Sequence, residues 1–220
     1  FMASYELSKT KRNLIVSVML ISAFVAILNQ TLLNTALPHI MRELNINENT
    51  SQWLITGFML VNGVMIPLTA YLMDKVKTRP LYLGAMGSFL IGSIVAAIAP
   101  NFAVLMIARV IQAVGAGILM PLMQFTLFTL FSKEHRGFAM GLAGLVIQFA
   151  PAIGPTFTGL IIDNASWRVP FIVIVGIALV TFIFGFVSIS SYNTTKETKL
   201  DKRSVIYSTL GFGLMLYAFS

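Results

Sequence analysis

Six stretches of apolar residues, following one another with scarcely a polar segment between them, decide most of what this chain can become. A helix needs about 20 such residues to cross the hydrocarbon core of a bilayer. The runs Leu14–Leu37, Trp53–Met73, Leu81–Ala99, Phe102–Phe131, Phe138–Ile162 and Val169–Ser190 each meet that length. A seventh run begins near Val205 and is still apolar at Leu216–Ser220, so more chain is expected beyond it. Lipid offers no hydrogen bonds, so each run must satisfy its own backbone, and a run of this length does so as an α-helix. Spans three and four are separated by little more than Pro100-Asn101, and links this tight force neighbouring helices to run antiparallel. The expected fold class is therefore all-α, a polytopic membrane protein. Its expected divisions are a six-helix bundle over 1–192, a linker over 193–204 and the start of a seventh helix over 205–220.

Composition removes several alternatives. Of the 220 residues 57% are hydrophobic and only 10% charged, whereas a soluble domain is about a quarter charged. With no cysteine, disulfides, thiolate metal sites and cysteine nucleophiles are excluded. His39 and His135 alone do not make a zinc site, so no metal and no enzyme chemistry is expected. The net charge of +7 invites nucleic acid as a partner, but the bases are scattered through short loops between spans. An anionic inner leaflet explains such loops better.

The same bases set the orientation. Twelve of the fifteen (Lys9, Lys11, Arg12, Lys75, Lys77, Arg79, Lys133, Arg136, Lys196, Lys199, Lys202 and Arg203) fall on one side, and only Arg42 and Arg168 on the other. By the positive-inside rule the N-terminus and the even-numbered loops are cytoplasmic, in a multi-pass protein of the cell membrane. The twelve residues from Phe1 to Arg12 are polar and basic, and the first apolar run is long enough to span, so no cleaved leader is expected.

Arg109, the fifteenth base, lies about eight residues into span four, roughly 12 Å below the outer surface. A central arginine costs about 2.5–3.5 kcal/mol on insertion scales, so it needs a polar interior or partners. Gln112 shares its helical face. Arg109 either pins helices through carbonyl contacts or takes part in substrate or proton handling. Gln30 and Asn34 share a face of span one, where they line a cavity or act as interhelical glue. Asn62 with Pro67 in span two, and Gln124 after Pro121 in span four, fit the same cavity wall.

In span five, Gly141, Gly144, Gln148, Ala152, Pro155 and Gly159 fall within about 80° of one another. Small residues let backbones approach closely, and Pro151 and Pro155 each remove a backbone donor and bend the helix. Such a helix is either a gate or a packing seam. The loop Asp74-Lys75-Val76-Lys77-Thr78-Arg79-Pro80 is either a solvated, topology-setting segment or the place where Asp74 touches a neighbouring helix N-terminus in one state. Spans three and six carry only hydroxyls, such as Ser88, Ser93 and Thr181, and are expected to face lipid or to support the rest.

Together these residues resemble the major facilitator superfamily, and within it the 14-helix drug:proton antiporter branch, over essentially the whole chain. Asn29-Gln30-Thr31 through Asn34-Thr35-Ala36-Leu37-Pro38 is similar to the first-span motif D-x-T-x-x-N-x-A-L-P. Ala70 through Asp74 and Arg79 is similar to the loop motif G-x-L-x-D-R-x-G-R-R, and Arg109, Gln112 and Gly115 to the fourth-span motif around R-x-x-Q. Gly141, Gly154-Pro155 and Gly159 resemble the antiporter motif of span five; Ser166-Trp167-Arg168 with Phe171 resembles the W-R-W-x-F start of span six. The detailed wording resembles lincomycin-resistance-type multidrug exporters of Gram-positive bacteria. The resemblance departs at Asn29, where the motif has an acid, and at Ala70, Lys77, Ala150 and Thr158, where it has glycines.

The resemblance implies two inverted three-helix repeats, a substrate site near the midplane between this bundle and a C-terminal half, and drug efflux by proton-coupled alternating access. Under it, Gln30, Asn34, Asn62, Arg109, Gln112, Gln124 and Gln148 face the cavity, and Gly141, Pro151, Gly154, Pro155 and Gly159 form the gating motif. The coupling ion is a proton and no cofactor is expected; the partners are small drugs and the bilayer. None of the 8 acids lies inside a span, so coupling falls to Asp74, Asp163, water at Arg109 or acids elsewhere. The alternatives are a metabolite exporter or importer on the same fold, and a membrane sensor that binds without transporting.

Overall fold

The computed structural model describes residues 7–191 and 202–219, and among these every regular element is an α-helix. The elements are α1 (Lys9–Leu44), α2 (Glu48–Lys75), α3 (Thr78–Ile98), α4 (Phe102–Leu130), α5 (Arg136–Ile162), α6 (Arg168–Ser188) and α7 (Lys202–Phe219). The first six are long and apolar enough to cross a bilayer. Most of the expected linker, residues 193–201, lies outside the described residues, and α7 begins at Lys202, ahead of the expected Val205.

Polar residues at the membrane surfaces start and stop these helices. The side chain of Asn47 accepts from Thr50 N at 2.8 Å, and that of Asn101 from Val104 N at 3.0 Å. Each satisfies a donor that the first turn of a helix leaves free. Asn45 ends α1 in the left-handed region at φ 53°, a conformation that asparagine tolerates. Pro80 and Pro170 fall in the first turns of α3 and α6, where no intrahelical donor is lost.

Two helices form the centre. α1 packs on α2, α4, α5 and α6, and α4 on α1, α2, α3 and α5. Exchanging α1 with α4, α2 with α5 and α3 with α6 maps the set of packed pairs among these six onto itself. That is the contact pattern of two three-helix repeats; because α4 starts on the opposite side from α1, the repeats are inverted. α3 and α6 pack on one another and turn Ile91, Ile94, Ile98, Ile183, Phe184 and Val187 outward, as lipid-facing supports do. α2 and α5 have no substantial packing with each other, and α7 lies along α2, where Phe212 covers Gly63.

Candidate functional site

Glycines decide where the polar residues end up. A Cβ on Gly92 would lie 2.7 Å from the backbone nitrogen of Gln112 and 2.9 Å from the Ala108 carbonyl. A Cβ on Gly115 would strike Ala85 O, so α3 and α4 meet backbone to backbone above and below Gln112. Gly117 lets Met65 and Asn62 of α2 approach α4 in the same way. Hydroxyls then tie the pairs together: Thr69 donates to Met65 O at 2.6 Å and to Gly117 O at 3.2 Å, and Ser88 to Ile111 O at 2.9 Å.

Within this junction Arg109 is fully buried. Its Nε donates to the carbonyl of Leu54 at 3.2 Å and its Nη1 to Gln112 Oε1 at 3.0 Å. The guanidinium lies 4.1 Å from the ring centroid of Phe58, one turn along α2 from Leu54. One face of α2 therefore clamps the cation with a carbonyl and a ring. Gln112 Nε2 donates onward to Ser93 Oγ at 3.1 Å and to Asn29 Oδ1 at 3.4 Å. Asn29, Ser93, Arg109 and Gln112 are all buried, so α1, α2, α3 and α4 meet at one polar knot.

This corrects the expectation that Arg109 and Gln112 face an open cavity. Both are sealed between helices, because the close crossing of α3 and α4 leaves no space beside them. Asn62 is also turned inward: it is half-buried, with Oδ1 against Gly117 and without a hydrogen-bond partner. Gln30 is half-buried. Asn34, Gln124 and Gln148 are exposed, one on each of α1, α4 and α5. Phe149 of α5, which follows Gln148 in the chain, sits beside Phe24 of α1, centroids 6.4 Å apart.

The small-residue stripe of α5 also differs from a closed seam. Nothing within 4 Å would meet a Cβ on Gly141, Gly144 or Gly159, and Pro151 and Pro155 are exposed, because no described helix lies against that face. Gly154, on another face of α5, is the member that packs, 2.8 Å from Thr31 Cγ2 of α1 as measured from its Cβ position. Of the loop motif, Asp74 is half-buried at the end of α2. Arg79 donates from Nη1 to Ile189 O at 3.2 Å and from its backbone N to Ser191 Oγ at 3.4 Å, which closes the C-terminus of α6.

A latch on the opposite side carried a weaker sequence signal. Glu43, at the end of α1, accepts from Trp167 Nε1 at 2.5 Å and from Arg168 Nη2 at 3.0 Å, and Arg168 Nη1 donates to Ala97 O of α3 at 3.1 Å. Trp167 and Arg168 stood out in sequence, but Glu43 did not, because nothing nearby in the chain marks it as their partner.

The sequence profile described as Major Facilitator Superfamily matches residues 19–219. The chain is 52% identical over 217 residues to the "Uncharacterized MFS-type transporter YcnB" of Bacillus subtilis, covering 99% of this chain and 46% of that protein. It is 40% identical over 202 residues to the lincomycin resistance protein LmrB of the same bacterium, covering 92% of this chain and 42% of that one. The chain thus spans less than half the length of these relatives. Its fold is like that of the human organic anion transporter MFSD10, with a TM-score of 0.73 over 90% of this chain and 53% of that one, at 16% identity.

Proposed function

The chain belongs to the Major Facilitator Superfamily, and from that premise we propose that it exports drug-like amphiphiles by proton-coupled alternating access. The observation that carries this reading is the exposed amide set Asn34, Gln124 and Gln148 at bilayer depth. Amides in contact with acyl chains are costly, so the parts of α1, α4 and α5 that bear them are read as bordering water or a polar ligand. The phenyl rings of Phe24 and Phe149, paired between α1 and α5, supply the apolar surface that an amphiphile needs. A relative named for lincomycin resistance supports a drug as cargo.

In this proposal the open stripe Gly141, Gly144, Gln148, Pro151 and Pro155 and the three amides meet the remainder of the transporter across the substrate path. Gly159 continues that stripe toward the outer surface, and Gly154 holds α5 to α1. The protein resides in the cell membrane with its N-terminus in the cytoplasm. The proton-carrying acid comes from outside the spans of this chain, because Asn29 stands where a carboxylate would serve.

The test is export itself. A strain lacking the gene is expected to gain susceptibility to lincosamides or to other amphiphilic drugs, and the full-length protein in liposomes is expected to move such a drug against an imposed proton gradient. Unchanged susceptibility across a broad drug panel, with no drug-dependent proton flux, would overturn it.

A further inference from the structure

The exchange that maps one three-helix repeat onto the other pairs the α1–α6 crossing with the α4–α3 crossing. The α3–α4 crossing is sealed at Gly92 and Gly115, whereas α1 and α6 leave a groove of about 500 Å³ between them. Leu14 and Ile21 of α1 line one wall, and Gly176, Ile177, Val180 and Phe184 of α6 the other. The large side chains among these are exposed, and a Cβ on Gly176 would meet nothing within 4 Å. Ser17 and Thr181 also border the groove, but each hydroxyl donates to its own helix, to Asn13 O at 2.8 Å and to Ile177 O at 2.7 Å. The lining therefore offers hydrocarbon and no unspent hydroxyl donor, which suits an aliphatic chain.

Position and charge say which chain. On a helical wheel the groove face of α1 points about 150° away from Asn34, so the groove opens on the bilayer side of the bundle and not toward the exposed amides. Leu14 to Ile21 rises about 10 Å along α1, within the roughly 15 Å depth of one leaflet. With the N-terminus in the cytoplasm, as proposed above, that leaflet is the inner one. Its mouth is basic: Lys11 precedes Leu14 by one turn on the same face and is exposed. Arg12 is drawn away to the Phe131 ring, 4.9 Å from its centroid, which leaves Lys11 as the base of the groove side. No acid occurs from Leu7 to Arg42 or from Arg168 to Lys196, so neither wall carries a charge that would repel a phosphate. We propose that the α1–α6 groove seats an acyl chain of an anionic phospholipid of the inner leaflet, with the headgroup at Lys11.

The experiment titrates the full-length protein in detergent with dioleoylphosphatidylglycerol and, separately, with dioleoylphosphatidylcholine, and counts bound lipids by native mass spectrometry. The two lipids share their chains, so the difference between them reads headgroup charge. Wild type is expected to bind its first phosphatidylglycerol about fivefold more tightly than its first phosphatidylcholine, the effect of one lysine near the surface. Lys11→Gln is expected to bring the two affinities together by weakening phosphatidylglycerol alone. Gly176→Leu fills the groove and is expected to weaken the first site for both lipids by about tenfold. Both positions are exposed, so unfolding without lipid is expected to match wild type in each variant. Equal wild-type affinities, or a preference that persists in Lys11→Gln, would overturn the headgroup assignment and with it the proposal. Unchanged lipid binding in Gly176→Leu overturns it too, and is the result expected if a protein segment or a second copy covers the groove. None of these readouts depends on drugs being the cargo.

Discussion

Arg168, the first residue of α6, reaches Glu43 in the last turn of α1 at 3.0 Å and joins two helices 125 residues apart in sequence. As an isolated ion pair, with side-chain exposures of 24% and 45%, it would contribute no more than about 1 kcal/mol. Its surroundings make it more than that. Glu43 also accepts from the indole of Trp167, which is buried and packs edge-on against Phe171 at 5.6 Å, and Arg168 reaches the end of α3 as well. One carboxylate therefore gathers the ends of three helices.

The two bonds at Glu43 separate by substitution. Glu43→Gln keeps an oxygen for Trp167 but loses the charge, and is expected to lower stability by less than about 1 kcal/mol. Glu43→Ala loses the bond from the Trp167 indole as well, for about 1.5–3 kcal/mol in total. Thermal unfolding of the full-length protein in detergent should order them wild type, Gln, Ala. Equal midpoints for Gln and Ala would remove the indole bond from the latch.

Gly92 makes a sharper prediction, because what its Cβ would meet is main chain and cannot swing aside. Gly92→Ala pushes α3 from α4 at Gln112 N and Ala108 O, and is expected to destabilise the fold by about 1–3 kcal/mol and to disturb the Arg109 clamp. Gly84→Ala, on the same helix with nothing within 4 Å of its Cβ, is the control and is expected to be neutral. If the two variants unfold at the same temperature, the α3–α4 crossing is not set by Gly92.

The spans were legible because hydrocarbon thickness imposes a length on apolar runs, but their ends were not. α1 runs from Lys9 to Leu44 instead of from Leu14 to Leu37, and α2 starts at Glu48 instead of Trp53. Apolarity marks only the part of a helix inside lipid, while caps such as Ser8 and Asn47 set the rest. The depth of Arg109 and its pairing with Gln112 were also legible, since spacing places them on one helical face. That they are sealed was not, because the seal is made by the Leu54 carbonyl, which any residue would supply, and by α3 closing over Gly92 and Gly115. The small residues of α5 announced a close approach without saying to what. Gly154 approaches α1, and the rest of the stripe approaches no described helix.

Gln148 tests whether the exposed amides line the substrate path. Being exposed, it has no packing to lose, so Gln148→Leu is expected to leave expression and thermal unfolding unchanged. If it contacts cargo, one lost hydrogen bond weakens apparent substrate affinity by up to about tenfold. Drug efflux followed by fluorescence over a range of drug concentrations should show KM rising at constant protein level. An unchanged KM would turn Gln148 away from the path; the same measurement on Asn34→Leu then asks the question of α1.

Arg109 separates a structural cation from a working one. Replacing a buried charge with an apolar side chain of similar volume is often neutral or stabilising, because the desolvation cost disappears with the charge. Arg109→Met fills much of the same space against Phe58 and leaves Leu54 O to its helix, so the variant is expected to fold with wild-type stability or better. Arg109→Lys keeps the charge but not the fork, and a single ammonium does not reproduce the bonds to Leu54 O and Gln112 Oε1 together with the stacking on Phe58. It is expected to be the less stable of the two. If the cation serves transport, export is lost in Arg109→Met despite the sound fold and partly kept in Arg109→Lys despite the weaker one. Thermal unfolding and efflux measured on the same preparations decide it: efflux that follows stability across the pair would make Arg109 a pin between helices.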